Sequence, residues 1–482
     1  MHFTPLLRTI ALLLVIVAAF MLFPVLFAIY YGELDLIRFF LYPMAGVAAF
    51  GLLVMFLTRR STATLSNRDG FLLVTFSWVF SALVGCLPLY LSGTIPGFAD
   101  AFFETMSGFT TTGASILTEI ESLPKCMLFW RSLTHWLGGM GIVVLTIAIL
   151  PLLGIGAYQM MKAEAPGPSL DKITPKITET ARILWFIYMG MTVAETVLLM
   201  AGGMNLFDAL THTFGTLATG GFSPRNRSVG YYDSGFIHIV VTVFMMMAGM
   251  NFVLHYRLIT GKVKRVFSNP ELKAYLGIFA VATVTIALVL RGRTYAGFGT
   301  SLRYAAFQAS SILTTTGFVT ADYEAWPFLA QAVLFTLTFI GGCSGSTGGG
   351  IKVIRIITLF KQGIHEMRTM ANPRGVFSLR MEREALSKNM VYSISGFVFL
   401  YMFMLLVTTM VVASGGNDLL TSLSSALVTL GNIGPGFGKI GPTLNYAFYP
   451  DYIKWFLSFA MMVGRLEVYT VLILFKPRFW HS

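Results

Sequence analysis

The tetrapeptide Thr-Thr-Thr-Gly occurs twice in this chain, at 110–113 and at 314–317. Threonine is β-branched and stiff, and its hydroxyl adds an oxygen to those of the backbone. Glycine accepts a backbone with positive φ and permits close approach, because it has no Cβ. Backbone carbonyl oxygens can replace the hydration shell of a monovalent cation. The chemistry of the motif is therefore suited to holding a dehydrated alkali cation.

The composition indicates a protein that lies in a bilayer. Of the 482 residues 55% are hydrophobic and only 12% are charged, which is too apolar for a soluble protein of several domains. Runs such as 10–31 and 41–57 approach the length that crosses about 30 Å of hydrocarbon. No cleavage pattern follows the first run, so we expect it to stay as a transmembrane helix. The three cysteines are far apart and are predicted to be free thiols.

Basic residues in the loops indicate how the chain is oriented. A net charge of +12 could suggest nucleic-acid binding, but in a membrane protein it first reflects topology. Segments 257–265 and 352–388 are basic, whereas 92–100 and 201–205 contain no Lys or Arg. Both termini are therefore predicted to be cytoplasmic, which requires an even number of crossings. The ten predicted crossings are 8–31, 38–58, 70–92, 126–150, 182–202, 235–257, 272–291, 326–357, 390–414 and 451–475.

Each of the last four helix pairs encloses a segment too short to cross the membrane and too apolar for a simple loop. These segments are 103–115, 207–223, 301–318 and 418–438. Each is predicted to be a short re-entrant helix that starts near a polar residue and stops at glycine. The predicted starts are Glu104, Asp208, Ser301 and Asp418, and the glycines that align are Gly113, Gly220, Gly317 and Gly434. Helix, re-entrant segment and helix thus form one internal repeat.

A central pore is the arrangement that four such segments favour. Irregular backbone is tolerated at membrane depth where it lines a cavity, and helix C-termini carry partial negative charge. The predicted fold is an all-α polytopic membrane protein. It has a leading helix pair, 1–68, and four helix–pore-helix–helix repeats, 69–180, 181–268, 269–388 and 389–482, around the pore. If each glycine only ended an ordinary turn or helix, the helical patterns before them would have no explanation.

A glycine-rich stretch interrupts the second helix of the third repeat. Six of the ten residues in 341–350 are glycine, and each costs about 1 kcal/mol relative to alanine inside a helix. The helix should break at mid-membrane, and we expect the break to form a flexible gate under the filter. The predicted gate residues are Cys343, Ser344, Gly345, Ser346, Thr347, Gly348, Gly349 and Gly350. A phosphate-binding loop is a poor alternative because Ile351 separates glycine from lysine, whereas close helix packing through small residues stays open.

Arg465 lies about midway along the last predicted helix. A charge at that depth is costly and normally faces the protein interior or a wet pathway, so a functional role is the default interpretation. A structural pair with Glu467, or extension of the side chain to the membrane interface, is the alternative.

These segments, with the stretch GGCSGSTGGGIKVIR at 341–355, resemble those of a known family. Over essentially its whole length the chain is similar to the potassium-translocating subunits of the Trk/Ktr/HKT superfamily, most closely the bacterial TrkH/TrkG type. The resemblance implies four unequal pore domains in one chain, an arginine at 465 near the gate, and a preference for potassium because residue 113 is glycine. The implied potassium-binding filter residues are Thr111, Thr112, Gly113, Ala218, Thr219, Gly220, Thr315, Thr316, Gly317, Asn432, Ile433 and Gly434.

The function that the resemblance implies is potassium uptake across the bacterial inner membrane by a channel-like subunit. The implied partners are potassium as substrate, membrane lipid, a cytosolic TrkA-type nucleotide-binding ring and a second copy of the chain. No cofactor and no nucleic acid are expected. A proton- or sodium-coupled symporter is the alternative, although the helices offer few acidic residues, mainly Glu195 and Glu467. No catalytic motif indicates an enzyme.

Overall fold

The computed structural model of the chain describes residues 3–59, 66–141, 177–373, 380–381, 384–385 and 388–480. The leading pair consists of Phe3–Phe20 and Leu22–Tyr31, which together form one apolar span, and Ile37–Thr58, which returns across the membrane. Large apolar side chains on this pair face outward, and Leu52 and Leu57 are 70% and 71% exposed. Such surfaces suit contact with lipid rather than with water.

Each of the four repeats begins with a long helix that is followed by a short one. The long first helices are Asn67–Leu91, Ile177–Ala201, Pro270–Leu290 and Lys388–Ala413. The short helices are Phe98–Phe109, Leu206–Leu217, Phe298–Leu313 and Leu419–Leu430, named here re-entrant helices 1 to 4. Asn205 and Asp418 start the second and fourth of these by accepting the backbone N–H three residues on. The hydrogen bonds from Thr421 to Asp418 also hold the pKa of the exposed Asp418 carboxyl group below its ordinary value.

The second helices of repeats 2, 3 and 4 are interrupted, and that of repeat 1 is described only as far as Gly141. In repeat 1, Lys125–Trp136 leads into a π-helical turn, Leu137–Gly141. In repeat 3, Phe328–Leu337 and Val353–Ala371 flank the predicted gate, so the predicted break is confirmed. Repeats 2 and 4 also break, between Gly235–Ala248 and Phe252–Ile259 and between Asp451–Arg465 and Val468–Leu472, with bends of 103° and 116°. The expectation of continuous helices over 235–257 and 451–475 was wrong. The described residues also form helices Val263–Ser268 and Pro477–Trp480 and a two-stranded hairpin, Arg380–Met381 with Glu384–Ala385. Short 3-10 helices occur at Leu34–Leu36, Ser228–Tyr231, Tyr323–Ala325, Gly438–Ile440 and Ile473–Phe475.

The predicted all-α membrane fold is confirmed. Among the described residues, six helices are long and apolar enough to cross a membrane, or up to eight if each bent pair counts as one span. Of the other two predicted crossings, 126–150 runs beyond Gly141, outside the described residues, and 326–357 is divided by the gate. Residues 101–109 of re-entrant helix 1 are all buried, including Glu104 and Thr105. Polar groups therefore collect at the centre of the protein, away from the lipid-facing surface.

Candidate cation filter and gate

The four re-entrant helices end in the same backbone conformation. The second residue after each helix is not glycine but has a positive φ, between 52° and 60°. These residues are Thr111, Thr219, Thr315 and Asn432. Residues other than glycine rarely adopt this backbone conformation. Two residues further on stands a glycine with φ between 78° and 93°: Gly113, Gly221, Gly317 and Gly434. The four segments are thus copies of one structure in spite of their different sequences.

This conformation corrects the register predicted for the second repeat. Gly220 donates its N–H to Gly215 O at 2.8 Å, in the way that Thr316 donates to Ser311 O, also at 2.8 Å. Gly220 therefore occupies the place of Thr316, and the candidate filter segment of repeat 2 is Thr219–Gly220–Gly221. The predicted segment began one residue too early, and Ala218 is the C-cap of re-entrant helix 2. Two adjacent glycines offer two alignments, and the sequence alone did not distinguish them.

Close contacts between neighbouring repeats close the four segments into a ring. A Cβ on the glycine of each segment would overlap, or lie within 2.7 Å of, the carbonyl oxygen of the residue before the next glycine. The pairs are Gly113 with Gly220, Gly221 with Thr316, Gly317 with Ile433 and Gly434 with Thr112. The fourth repeat thus meets the first. Each glycine thus lies against a carbonyl oxygen at the equivalent position of the next repeat, where a Cβ would not fit.

In each repeat, one side chain of the re-entrant helix hydrogen-bonds to the part of the chain that follows the candidate filter segment. Glu104 accepts hydrogen bonds from Ser115 Oγ and Ile116 N, both at 2.9 Å. His212, at the equivalent position of repeat 2, contacts Ser223 Oγ through Nε2 at 3.0 Å. In repeat 3 Gln308 donates to Ala321 O, and in repeat 4 Ser425 bonds the Tyr449 hydroxyl. These braces hold the outer part of each filter segment against its own helix.

Glu104 has a second partner that the sequence did not indicate. Its carboxylate pairs with Arg131 at 2.6 Å, and both side chains are buried. Arg131 also donates to Ser223 O of the second repeat at 3.1 Å and lies over the Phe222 ring. Glu104 lies inside helix Phe98–Phe109, not at its start as predicted. The pair therefore ties the filter segments of repeats 1 and 2 together.

The ring has two kinds of wall. In repeats 1 and 3 two threonine hydroxyls bond each other, Thr110 with Thr112 at 2.8 Å and Thr314 with Thr316 at 2.7 Å. Repeats 2 and 4 carry Ala218 with Gly220 and Gly431 with Ile433 at these positions, which have no hydroxyl. Asn432 of repeat 4 instead donates through Nδ2 to Thr112 Oγ1 at 2.9 Å and to Met461 O at 3.0 Å. The fourth segment lacks the threonine pair of the first and third segments, and the hydrogen bond from Asn432 to Thr112 compensates for this difference.

The predicted gate is a loop whose two ends are hydrogen-bonded to each other. Gly341 N donates to Ile351 O at 2.9 Å, and Val353 N donates to Gly342 O at 3.2 Å, which joins the two ends of the loop. We name residues 341–353 the gate loop.

The gate loop fills the break in the second helix of repeat 2. Cys343 N donates to Gly249 O at 2.8 Å, and Phe252 N donates to Gly345 O at 3.0 Å. A broken helix leaves N–H and C=O groups without partners, which is costly away from water. Here the two interrupted helices satisfy one another's backbone groups.

Arg465 connects the gate loop to the first repeat. Its guanidinium donates to Thr347 O at 2.6 Å and to Gly138 O and Gly139 O at 2.9 and 2.8 Å. Glu467 instead pairs with Arg355 at 2.5 Å. Glu467 stands at the helix break with a φ of 61°. These contacts join Arg465 to the gate loop and to the first repeat, and Glu467 is joined to Arg355.

Comparisons with known proteins agree along the whole chain. Residues 39–482 match the TrkH family, described as a cation transport protein. The Trk system potassium uptake protein TrkH of Salmonella typhimurium is 40% identical, covering 100% of both chains. The Trk system potassium uptake protein TrkG of Escherichia coli K12 is 36% identical over 96% of this chain and 95% of its own. The crystal structure of the potassium transporter TrkH from Vibrio parahaemolyticus superposes with a TM-score of 0.89 at 37% identity, covering 100% of both chains.

Proposed function

The chain belongs to the TrkH family of cation transport proteins, and on that premise we propose that it is the pore-forming subunit of a bacterial potassium uptake system. It crosses the inner membrane several times with both termini in the cytoplasm, and it conducts potassium in the manner of a channel. The observation that carries this proposal is the closed ring of four glycine-to-carbonyl contacts. Backbone carbonyl oxygens gathered from several segments are the groups that replace the water around a potassium ion in known filters.

The proposed filter contains three residues from each repeat, with the register of repeat 2 corrected. They are Thr111, Thr112 and Gly113; Thr219, Gly220 and Gly221; Thr315, Thr316 and Gly317; and Asn432, Ile433 and Gly434. Burial of these segments supports the proposal, because a dehydrated ion needs oxygens held in place by surrounding protein rather than by water.

Gating by the loop at 343–350 with Arg465 is the second part of the proposal. Arg465 places positive charge below the filter, where it would oppose a cation until the loop moves. We propose that a cytosolic TrkA-type nucleotide-binding ring, and a second copy of the chain, act on the helix Val353–Ala371 that follows the loop. Support comes from the apolar side chains that this helix exposes, Phe360, Met367 and Met370, at 71%, 63% and 79%.

A proton-coupled symporter is the second candidate, and Glu195 is the observation that favours it. Glu195 is fully buried in helix Ile177–Ala201, and neither of its carboxyl oxygens hydrogen-bonds another described residue. A buried acid without a counter-charge is the kind of group that carries protons in coupled transporters. If Glu195 is only structural, the glutamine of the same shape should leave transport unchanged.

Rubidium uptake into proteoliposomes tests the proposal. The purified protein is reconstituted with potassium inside and a trace of radioactive rubidium outside, with and without an imposed proton or sodium gradient. We expect rubidium to accumulate without either gradient and to do so equally in Glu195→Gln. Uptake that needs a proton gradient in the parent protein and is lost in Glu195→Gln would reject the channel and establish the symporter.

A further inference from the structure

Glu271 is a buried acid that neither the filter nor the gate prediction included. It is the second residue of helix Pro270–Leu290 and is 6% exposed. Its own helix does not need it as a cap, because Asn269 Oδ1 already accepts the N–H of Leu272 at 2.9 Å. Its carboxylate oxygen Oε1 instead accepts the backbone N–H of Ser344 at 2.7 Å and of Ile354 at 3.1 Å. One oxygen thus binds two points of the chain more than seventy residues away.

One of these points lies within the gate loop, and the other lies just beyond the end of the loop. Ser344 belongs to the loop itself, whereas Ile354 lies in the first turn of helix Val353–Ala371, where backbone N–H groups have no partner within the helix. A carboxylate at such a helix start is favoured by the helix dipole, and hydrogen bonds to a charged acceptor are about twice as strong as neutral ones. Glu271 therefore holds the loop to the start of the helix that follows it.

Cationic side chains around the gate loop bind its carbonyl groups, whereas the Glu271 carboxylate binds backbone N–H groups. Lys352 Nζ donates to Gly348 O, and Arg465 donates to Thr347 O, so the cations hold carbonyl groups of the loop. Glu271 holds N–H groups at its base. Gly345 and Gly350 have φ values of 70° and 64° and flank the segment that the cations hold. Glycine changes its backbone conformation at low cost, so the segment can turn at both of its ends.

We infer that Glu271 is the latch that keeps the gate loop in the arrangement seen here. The loop is released when the Ser344 N–H leaves the carboxylate, while the bond to Ile354 keeps the acid at the helix start. The loop segment then turns about Gly345 and Gly350. This inference rests on the proposed function only in calling the loop a gate. The latch itself is a statement about which side chain holds the loop, and it can be tested separately.

Cys343 provides a reporter within the loop, because its side chain is buried. Replacing Cys86 and Cys126, the other two cysteines, by alanine leaves Cys343 as the one thiol in the chain. In this background we would compare Glu271→Ala and Glu271→Gln with the parent. Two quantities are measured in proteoliposomes: the rate at which a small methanethiosulfonate reagent modifies Cys343, and rubidium flux without any partner protein. The matched control is Glu366→Gln, which removes one exposed acid from helix Val353–Ala371 without contact to the loop.

The expected result is about a tenfold rise in both rates for Glu271→Ala, because the Ser344 N–H loses the charge-assisted hydrogen bond that opposes release of the loop. Glu271→Gln should lie between that variant and the parent, since its amide oxygen accepts hydrogen bonds without charge. Glu366→Gln should match the parent. If Glu271→Ala does not fold, Glu271→Gln carries the comparison.

Two results would overturn the latch. One is a Cys343 modification rate equal to that of the parent in the folded Glu271 variants. The other is a rise in flux without any rise in Cys343 modification, which would indicate a leak elsewhere. A rise in modification with unchanged flux would support the latch while rejecting the loop as the gate, so the two proposals fail in different ways.

Discussion

Gly349 donates its backbone N–H to the hydroxyl oxygen of Thr315 at 2.7 Å, which joins the gate loop directly to the filter segment of the third repeat. Both groups are buried. A Cβ on Gly349 would also lie 2.5 Å from Gly431 O, at the start of the fourth filter segment. The loop therefore packs against the candidate filter segments of repeats 3 and 4, and a displacement of one changes the surroundings of the other.

Thr315→Val should loosen this junction. Valine has the shape of threonine but accepts no hydrogen bond, so the buried Gly349 N–H would lose its partner at a cost of about 1–3 kcal/mol. We expect rubidium flux in the absence of any partner to rise by about tenfold. Thr336→Val is the control, because Thr336 is exposed and its hydroxyl donates only to Ala332 O of its own helix. Equal flux in the two variants would show that this bond does not hold the loop.

Gly113→Ser should impair selectivity at the ring. Its Cβ would overlap the Gly220 carbonyl oxygen, and forcing extra atoms into such a site costs about 1–3 kcal/mol. We expect the ratio of rubidium to sodium uptake to fall by about tenfold. Gly277→Ser, in helix Pro270–Leu290, is the control, because a Cβ there meets nothing within 4 Å. A preserved uptake ratio in Gly113→Ser would remove the ring from the selectivity mechanism.

Arg465→Ala should raise the leak of cations through the protein. The substitution removes three hydrogen bonds, to Thr347 O, Gly138 O and Gly139 O, together with the positive charge beside the gate loop. Arg465→Lys should restore the barrier only in part, since an ammonium group lacks the planar fork that reaches carbonyls on two sides. Rubidium efflux from loaded proteoliposomes measures the leak, with Arg293→Ala, an exposed arginine, as the charge-matched control. An efflux rate that is the same in all four proteins would assign Arg465 a structural role.

Glu104→Ala should destabilise the fold more than any change at an exposed ion pair. Removing one partner of a buried pair leaves Arg131 charged and uncompensated, which typically costs about 3–5 kcal/mol. Asp233→Ala is the comparison, because Asp233 is 92% exposed and lies 4.0 Å from Arg303. Thermal unfolding in detergent, followed by tryptophan fluorescence, should show a clear drop in Tm for Glu104→Ala and almost none for Asp233→Ala. Removing Arg131 as well should recover part of the loss, and no recovery would argue against coupling of the pair.

Sequence reasoning recovered the features that depend on local composition. Apolar run length predicted the positions of six of the ten crossings, and Lys388–Ala413 lies within two residues of the predicted 390–414. Glycine content indicated the break at 341–350, and the recurrence of glycine after short polar helices indicated four filter segments. Each of these signals is present in the linear order of residue types, so no knowledge of spatial neighbours was needed.

Tertiary structure decided which of several locally acceptable arrangements the chain adopts. The register at Gly220 and Gly221 was fixed by the Thr316 carbonyl of the next repeat. The run 235–257 breaks at Gly249 because the gate loop, about one hundred residues later, supplies partners for the exposed backbone groups. Glu467, whose backbone has a positive φ, pairs with Arg355, 112 residues earlier in the chain. In each case the free energy depends on groups that are distant in sequence, and only folding brings those groups within hydrogen-bonding distance.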